Sequence, residues 1–263
     1  MPIKIIVLVK QVPESNDLKI DTNTNRIITE GVSTMISPFD QFALEEAIKI
    51  KKEGDEIIAI SMGDIETKST LMRCLALGAD KAILLNDEIF QESDTFATAN
   101  ILASSIKKIG DFDIVFCGNS SFDTGLGQVG PELAAILDIP HITYVENVEN
   151  LENNKLIVKT QTDDGYNIIE SDIPLVVATI PPSSFQPKIP PLPKILAAQK
   201  KPFETFSADD IEGDKNKYGS SGSLINILKL YKPPKREQGI IITDEPNIAV
   251  KTLMELLTKD KVI

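Results

Sequence analysis

Strand-like and helix-like patterns alternate through the first half of this chain, and that alternation limits the folds open to it more than any other feature. Short apolar runs at Ile3–Val9, Glu56–Ser61, Ala82–Leu85 and Asp113–Cys117 are separated by helical periodicities over residues 39–53, 66–77, 94–109 and 128–138. Such repetition predicts an α/β fold with a doubly wound, mostly parallel sheet. The helix ends carry local signals. Ser37 can cap the first helix with Pro38 at its first position, Gly78 can close the second, and Ser93 or Asp94 can open the third. Leu102, Ile106 and Ile109 then give the third helix its apolar stripe. On sheets of this kind ligands bind beyond the carboxyl ends of the strands.

One of those ends is rich in glycine. The run from Gly118 to Pro131 follows a buried strand and precedes a helical pattern in which Val129, Leu133, Ile136 and Leu137 share a face. Glycines 118, 125, 127 and 130 let the backbone approach a ligand closely, and the helix start offers N–H donors to an anion. The spacing is neither the dinucleotide fingerprint nor the P-loop pattern, and a glycine-rich turn can equally serve tight helix–sheet packing. Three further segments sit at strand ends or at the helix starts that follow them: Lys10-Gln11-Val12-Pro13-Glu14-Ser15, Ser37-Pro38-Phe39-Asp40 and Met62-Gly63-Asp64. Their shared placement favours a binding site over packing alone. Thr22 to Arg26, followed by Ile27 and Ile28, reads as a turn and short strand forming a flap.

After His141 the pattern changes. Leu156–Thr160, Tyr166–Glu170 and Leu175–Thr179 alternate around turns such as Asp163-Asp164-Gly165, which predicts an antiparallel hairpin at one sheet edge. Between Ile180 and Pro193 six prolines (181, 182, 187, 190, 191 and 193) argue against helix and for an extended arm. Ile189, Leu192, Ile195 and Leu196 lie in or just beyond it, apolar side chains on a stiff backbone suited to docking a partner. Residues 203–240 are polar, acidic and rich in glycine and serine, as expected of a non-core arm. The last helix, roughly 246–258, places Ala249, Leu253, Leu256 and Leu257 on one face.

Acidic residues outnumber basic ones by 39 to 27, a formal charge of −12 that disfavours nucleic acid and anionic membrane as partners. The N-terminal apolar stretch is short, broken by Lys4 and Lys10, and does not read as a secretory signal, and no stretch is long enough to span a bilayer. Two cysteines, Cys74 and Cys117, read as buried thiols of a cytoplasmic protein rather than a disulfide framework or metal site. The one histidine, His141, has no nucleophile beside it in sequence, and paired carboxylates such as Glu45-Glu46 and Asp209-Asp210 read as solvated faces. No side-chain set for catalysis or metal binding stands out, so any redox chemistry requires a bound cofactor.

These four segments, in this order, resemble the beta subunit of electron-transfer flavoproteins over essentially the whole chain. Val-Lys-Gln-Val-Pro-Glu-Ser at Val9 to Ser15 and Gln-Val-Gly-Pro at Gln128 to Pro131 are most similar to the NADH-using, electron-bifurcating members. The resemblance implies FAD in bifurcating members or AMP in simple carriers, lodged at the same strand ends. On it, Leu8, Lys10, Gln11 and Pro13 line the nucleotide or flavin ring, while Ser37, Phe39 and Asp40 border the adenine and ribose side beside Met62, Gly63 and Asp64. The turn of Gly118, Asn119, Ser120, Ser121, Phe122, Asp123, Thr124 and Gly125, continued by Gln128, Val129 and Gly130, holds phosphates and sugar. Where bifurcating relatives carry Arg-Gln-Ala-Ile-Asp-Gly-Asp-Thr, this chain reads Asn119-Ser-Ser-Phe-Asp-Thr-Gly-Leu126 and keeps only Asp123 of the polar set. Ser37 replaces the usual asparagine, and Asp64 the usual proline.

The same resemblance implies three regions: residues 1–180 as a nucleotide- or flavin-binding α/β domain, 181–202 as a proline-rich loop recognising a partner through Ile189, Leu192 and Ile195, and 203–263 as a C-terminal arm and helix packing on the partner subunit. It implies a heterodimer with an alpha subunit, hydride transfer from NADH to FAD, and electrons divided between a flavin-dependent dehydrogenase (acyl-CoA or hydroxy-acid type) and ferredoxin or flavodoxin. Two other readings stay open: a non-bifurcating carrier holding AMP as a structural ligand, and a nucleotide-binding regulatory protein of the universal-stress type.

Overall fold

The computed structural model describes residues 2–14, 19–21, 26–28, 31–231 and 239–263. The chain divides into two units, one comprising Met1–Lys19 and Ile27–Leu228, the other Ile20–Arg26 and Lys229–Ile263. In chain order the described strands are β1 (Lys4–Leu8), β2 (Gln11–Pro13), β3 (Lys19–Asp21), β4 (Arg26–Ile28), β5 (Thr34–Ile36), β6 (Glu56–Met62), β7 (Lys81–Leu85), β8 (Ile114–Gly118), β9 (His141–Glu152), β10 (Lys155–Thr162), β11 (Gly165–Asp172), β12 (Leu175–Thr179) and β13 (Phe203–Phe206). The helices are α1 (Pro38–Ile50), α2 (Lys68–Leu77), α3 (Thr95–Ile109), α4 (Val129–Leu137), α5 (Leu192–Ala198), α6 (Gly219–Gly222) and, in the second unit, α7 (Pro246–Lys259).

Nine strands make one sheet in the order β11-β10-β9-β12-β8-β1-β6-β7-β13. Pairing is parallel from β9 to β13, and the β9-β10-β11 edge is antiparallel. This is the expected α/β fold with its edge hairpin. The central strands are apolar on both faces because helices cover both. Leu44 and Ala47 of α1 and Leu71 and Leu75 of α2 belong to a core with Val7, Ala59 and Phe116. Ile101 and Ile106 of α3 and Leu133 of α4 join Ile6, Ile60 and Val115 on the other side. Each fully buried leucine, isoleucine or valine among them contributes about 1.5–3 kcal/mol.

From β1 the chain steps outward to β6 and β7 on one side, then returns to β8 on the other. The strand order therefore reverses between β1 and β8, and such a reversal opens a crevice at the carboxyl ends of the two strands. The antiparallel pair β2-β5 lies in the connection from β1 to α1. Of the expected flap, Arg26–Ile28 is a strand, while Thr22–Asn25 lies outside the described residues, as does Ser15.

Four sequence expectations are corrected. Leu175–Thr179 is no hairpin strand: β12 is wholly buried and sits between β8 and β9, parallel to both. The proline-rich segment does contain helix at its end, because Pro193 falls in the first turn of α5, where a missing N–H breaks no intrahelical bond. Residues just after 202 are not peripheral: β13 extends the sheet beside β7, and Phe206, Ala208, Ile211 and Tyr218 are buried in the core. Glu45 and Glu46 are buried rather than solvated. Glu46 Oε2 accepts the Val148 N–H at 2.6 Å, tying α1 to β9.

The three expected helix ends fall where the sequence places them. Asp94 Oδ1 accepts the Ala97 N–H at 2.9 Å, and Gly78 closes α2. Ser37 stands at the cap position of α1 without a side-chain capping bond. Cys74 and Cys117 are both free and buried, and burial pushes the Cys74 thiol up to about 12.

Candidate functional site

The crevice at the β1/β8 reversal is built around Asp40. In the first turn of α1, this carboxylate accepts the Lys10 N–H on Oδ2 and the Gly118 N–H on Oδ1, each at 2.8 Å. One side chain thus joins the ends of two neighbouring strands. Burial raises the Asp40 carboxyl from 3.8 to about 7, against the lowering pull of those two N–H groups and the Lys10 charge. Gly118 is required by space: a Cβ there would lie 2.5 Å from Asp40 Oδ1 and 2.6 Å from Phe39 Cβ.

Above this floor the glycine-rich run folds back on itself. Asn119 donates its N–H to Thr179 O at 2.7 Å, and its side-chain oxygen accepts the Tyr144 N–H at 3.1 Å. Ser121 and Thr124 hydroxyls meet at 2.9 Å, and Gly125 N–H donates to Ser121 O at 3.1 Å. Gly127, at φ +67°, adopts the left-handed backbone that favours glycine, and a Cβ there would lie 3.0 Å from Asn119 O. Phe122 and Leu126 are exposed. Among the described residues, the N–H groups of Ser120 to Asp123 and Leu126 to Gln128 meet no acceptor, whereas those of Gly118, Asn119, Thr124 and Gly125 are used internally.

Lys10 and Asp123 close the crevice, with Nζ 2.7 Å from Oδ2. Burial would raise the Asp123 carboxyl, but Lys10 together with the Ser121 and Thr124 donors outweighs it and holds the group below its ordinary value. The Lys10 side chain is 46 % exposed, so an anion can reach it.

The remaining expected residues are placed around this centre or in its packing. Leu8 is buried beneath the site, and Ser37 donates its backbone N–H to Lys10 O at 2.9 Å. Gln11 Nε2 donates to Thr70 Oγ1 at 2.9 Å, and its Oε1 accepts from Thr67 Oγ1 at 3.4 Å. Thr67 also donates to Asp64, which caps the turn before α2, so Gln11, Gly63 and Asp64 form a second wall at the end of β6. Met62 packs into the core, and Pro13 pairs with Thr34 in the β2-β5 ribbon. Gln128 accepts from Thr95 Oγ1 at 3.0 Å and is thereby turned toward α3. Gly130 serves packing, since a Cβ there would lie 3.0 Å from Cys117 Sγ, and the neighbouring Val129 packs on the same core.

Thr179 was not expected here. Its hydroxyl lies 3.3 Å from both Phe39 O and Cys117 O, and its carbonyl takes the Asn119 N–H. A threonine closing the run Leu-Val-Val-Ala was the available signal, hidden by assigning that run to a hairpin.

The donor set fits a phosphate-bearing ligand. The loop presents unclaimed backbone N–H groups and a reachable lysine for phosphate, and Ser37 Oγ is buried at the rim with no partner among the described residues. Among the described residues no group of three His, Cys, Asp or Glu could hold a metal ion, and no helix is long and apolar enough to cross a membrane.

The expected partner residues are open. Ile189 is 84 %, Leu192 66 % and Ile195 42 % exposed, on the arm and the first turns of α5.

Residues 24–211 match the family described as electron transfer flavoprotein domain. The chain is 42 % identical over 261 residues to an electron transfer flavoprotein subunit beta of Thermoanaerobacterium thermosaccharolyticum, covering 98 % of this chain and 99 % of the relative. It is 36 % identical over 242 residues to the caffeyl-CoA reductase-Etf complex subunit CarD of Acetobacterium woodii, covering 91 % and 92 %. It is also 31 % identical over 268 residues to the acryloyl-CoA reductase electron transfer subunit gamma of Anaerotignum propionicum, covering 99 % and 100 %.

Proposed function

The chain belongs to the electron transfer flavoprotein beta-subunit family, and from that premise we propose that it holds FAD at the β1/β8 crevice within an NADH-dependent, electron-bifurcating complex. The observation that supports the site most directly is the Asp40 bridge, which fixes Lys10 and Gly118 as the two lips of the crevice. When bound, FAD supplies the exchange between a two-electron donor, NADH, and single-electron acceptors.

The chain's own residues bind and orient. Lys10 and the free N–H groups between Ser120 and Gln128 take phosphate, and Ser37, Phe39 and Asp40 border the adenine and ribose. Asp123 holds Lys10 in place until an anion competes for it. Charge-assisted bonds of this kind contribute roughly 1.5–3 kcal/mol each, so a few suffice for a nucleotide. The exposed side chains of Ile189, Leu192 and Ile195 meet an acyl-CoA or hydroxy-acid dehydrogenase, and the complex includes an alpha subunit and a ferredoxin or flavodoxin acceptor. Relatives named for caffeyl-CoA reductase and acryloyl-CoA reductase complexes support this reading.

A second reading, AMP as a structural ligand in a simple electron carrier, is favoured by one feature. The loop Asn119–Leu126 carries no basic side chain, and Lys10 is already paired with Asp123, a charge balance better suited to one phosphate than to a pyrophosphate. Purification with the alpha subunit decides between them. Two flavins per heterodimer, and flavin bleaching on adding NADH, are expected for the first reading; one flavin with one AMP and no bleaching would establish the second.

A further inference from the structure

The arm that carries Leu192 is held by side chains of the same helix that builds the crevice. Gln41 and Glu45 lie one turn apart on α1, both buried, immediately after Asp40. Glu45 Oε1 accepts the Lys188 backbone N–H at 2.9 Å, and Gln41 Nε2 donates to the Lys188 carbonyl at 2.9 Å. Gln41 and Glu45 are themselves linked at 3.2 Å. Two side chains therefore grip one residue of the arm by both of its backbone groups, as a neighbouring strand would. Three residues upstream, Phe185 packs edge-on against Phe42 with ring centroids 5.0 Å apart, and two residues downstream Pro190 is buried. Immediately beyond, Leu192 and Ile195 face outward.

We propose that Gln41 and Glu45 are positioning residues for partner docking: they fix the base of the arm to α1 so that the apolar face of α5 is presented at a set place relative to the crevice. The inference rests on the reading of Ile189, Leu192 and Ile195 as the dehydrogenase-binding surface. Its physical basis is the cost of ordering. A proline-stiffened segment fixed at its base presents Leu192 without spending docking energy on immobilising the arm. The grip is made to backbone, and the Lys188 side chain, 70 % exposed with its Nζ 3.3 Å from Glu45 Oε2, adds only a solvent-screened ion pair to it.

That last point provides the test, carried out on the full chain paired with its alpha subunit. Lys188→Pro removes the N–H that Glu45 accepts while leaving α1 untouched, and Pro187 already places this stretch in extended backbone. Gln41→Ala removes the other half of the grip. Both variants are expected to speed tryptic cleavage after Lys194 by roughly tenfold. Both are also expected to raise KM for a titrated acyl-CoA-type flavoprotein dehydrogenase by a similar factor, with kcat unchanged. Lys188→Ala, which keeps both backbone contacts and loses only the screened ion pair to Glu45, should shift cleavage and KM by far less than either variant. Cleavage at the unaltered rate in Lys188→Pro and Gln41→Ala, or faster cleavage with no change in KM, would overturn the proposal. A failure of the underlying reading is separable, because it would appear as an unaltered KM in Leu192→Ala with the grip intact.

Discussion

The Gly118 N–H donates to Asp40 Oδ1 at 2.8 Å, joining the end of β8 to the first turn of α1. That bond requires the bare Cα of glycine. In Gly118→Ala the new methyl would stand 2.5 Å from the carboxylate oxygen and 2.6 Å from Phe39 Cβ, closer than atoms can pack. We expect a stability loss of about 1–3 kcal/mol, as for overpacking elsewhere, together with weakened adenylate binding. The urea midpoint and an AMP titration measure the two effects, and wild-type values in both would show that the strand end has room.

Asp40 also sets a pH dependence whose sign is fixed. Its folded-state value, about 7, lies above the ordinary 3.8, so across that window the folded chain binds a proton that the unfolded chain releases. Stability contributed by this group is present below the lower value and is lost as pH rises through the upper one. Asp40→Asn should flatten that part of the profile. Urea midpoints at about pH 5 and about pH 8 provide the comparison, and parallel slopes for variant and wild type would refute the assignment.

Lys10 is expected to matter for ligand and little for folding. Its pair with Asp123 is partly exposed, 46 % and 25 % for the two side chains, which limits its contribution to about 1 kcal/mol or less. Lys10→Met should therefore leave the melting temperature nearly unchanged while lowering affinity for AMP or FAD by roughly tenfold or more. Calorimetric titration reads the affinity; an unchanged value would remove Lys10 from the site.

Glu46 makes the opposite prediction. Its Oε2 accepts the buried Val148 N–H at 2.6 Å and meets Lys49 Nζ at 3.0 Å, neither of them an expected ligand contact. Glu46→Gln should cost about 1–3 kcal/mol of stability without altering adenylate affinity. A shift in affinity instead would place β9 within the binding machinery.

Much of this was legible in the residues themselves. The parallel core announced itself because two-sided burial makes Ile5 to Leu8 and Ile57 to Ile60 apolar without alternation, and Asp94 and Gly78 mark helix ends through local chemistry. The crevice followed from Gly118 and its neighbours. What escaped depended on partners distant in sequence. Nothing within Leu175–Thr179 itself hints that the run enters between β8 and β9, since an isolated apolar pentapeptide suits an edge or a centre equally. Glu45 and Glu46 look solvated until Lys188 and Val148, more than a hundred residues later, are brought to them. Pro193 argued against helix only because a first-turn position cannot be told from an interior one without the fold.

The late entry of β12 has a consequence for biosynthesis. Thr179, which secures Asn119, leaves the ribosome some sixty residues after the glycine loop it supports, and until then β8 has only β1 as a neighbour. A nascent chain stopped short of Leu175 therefore lacks one wall of the crevice, and the support of the glycine loop is completed only when β12 enters between β8 and β9.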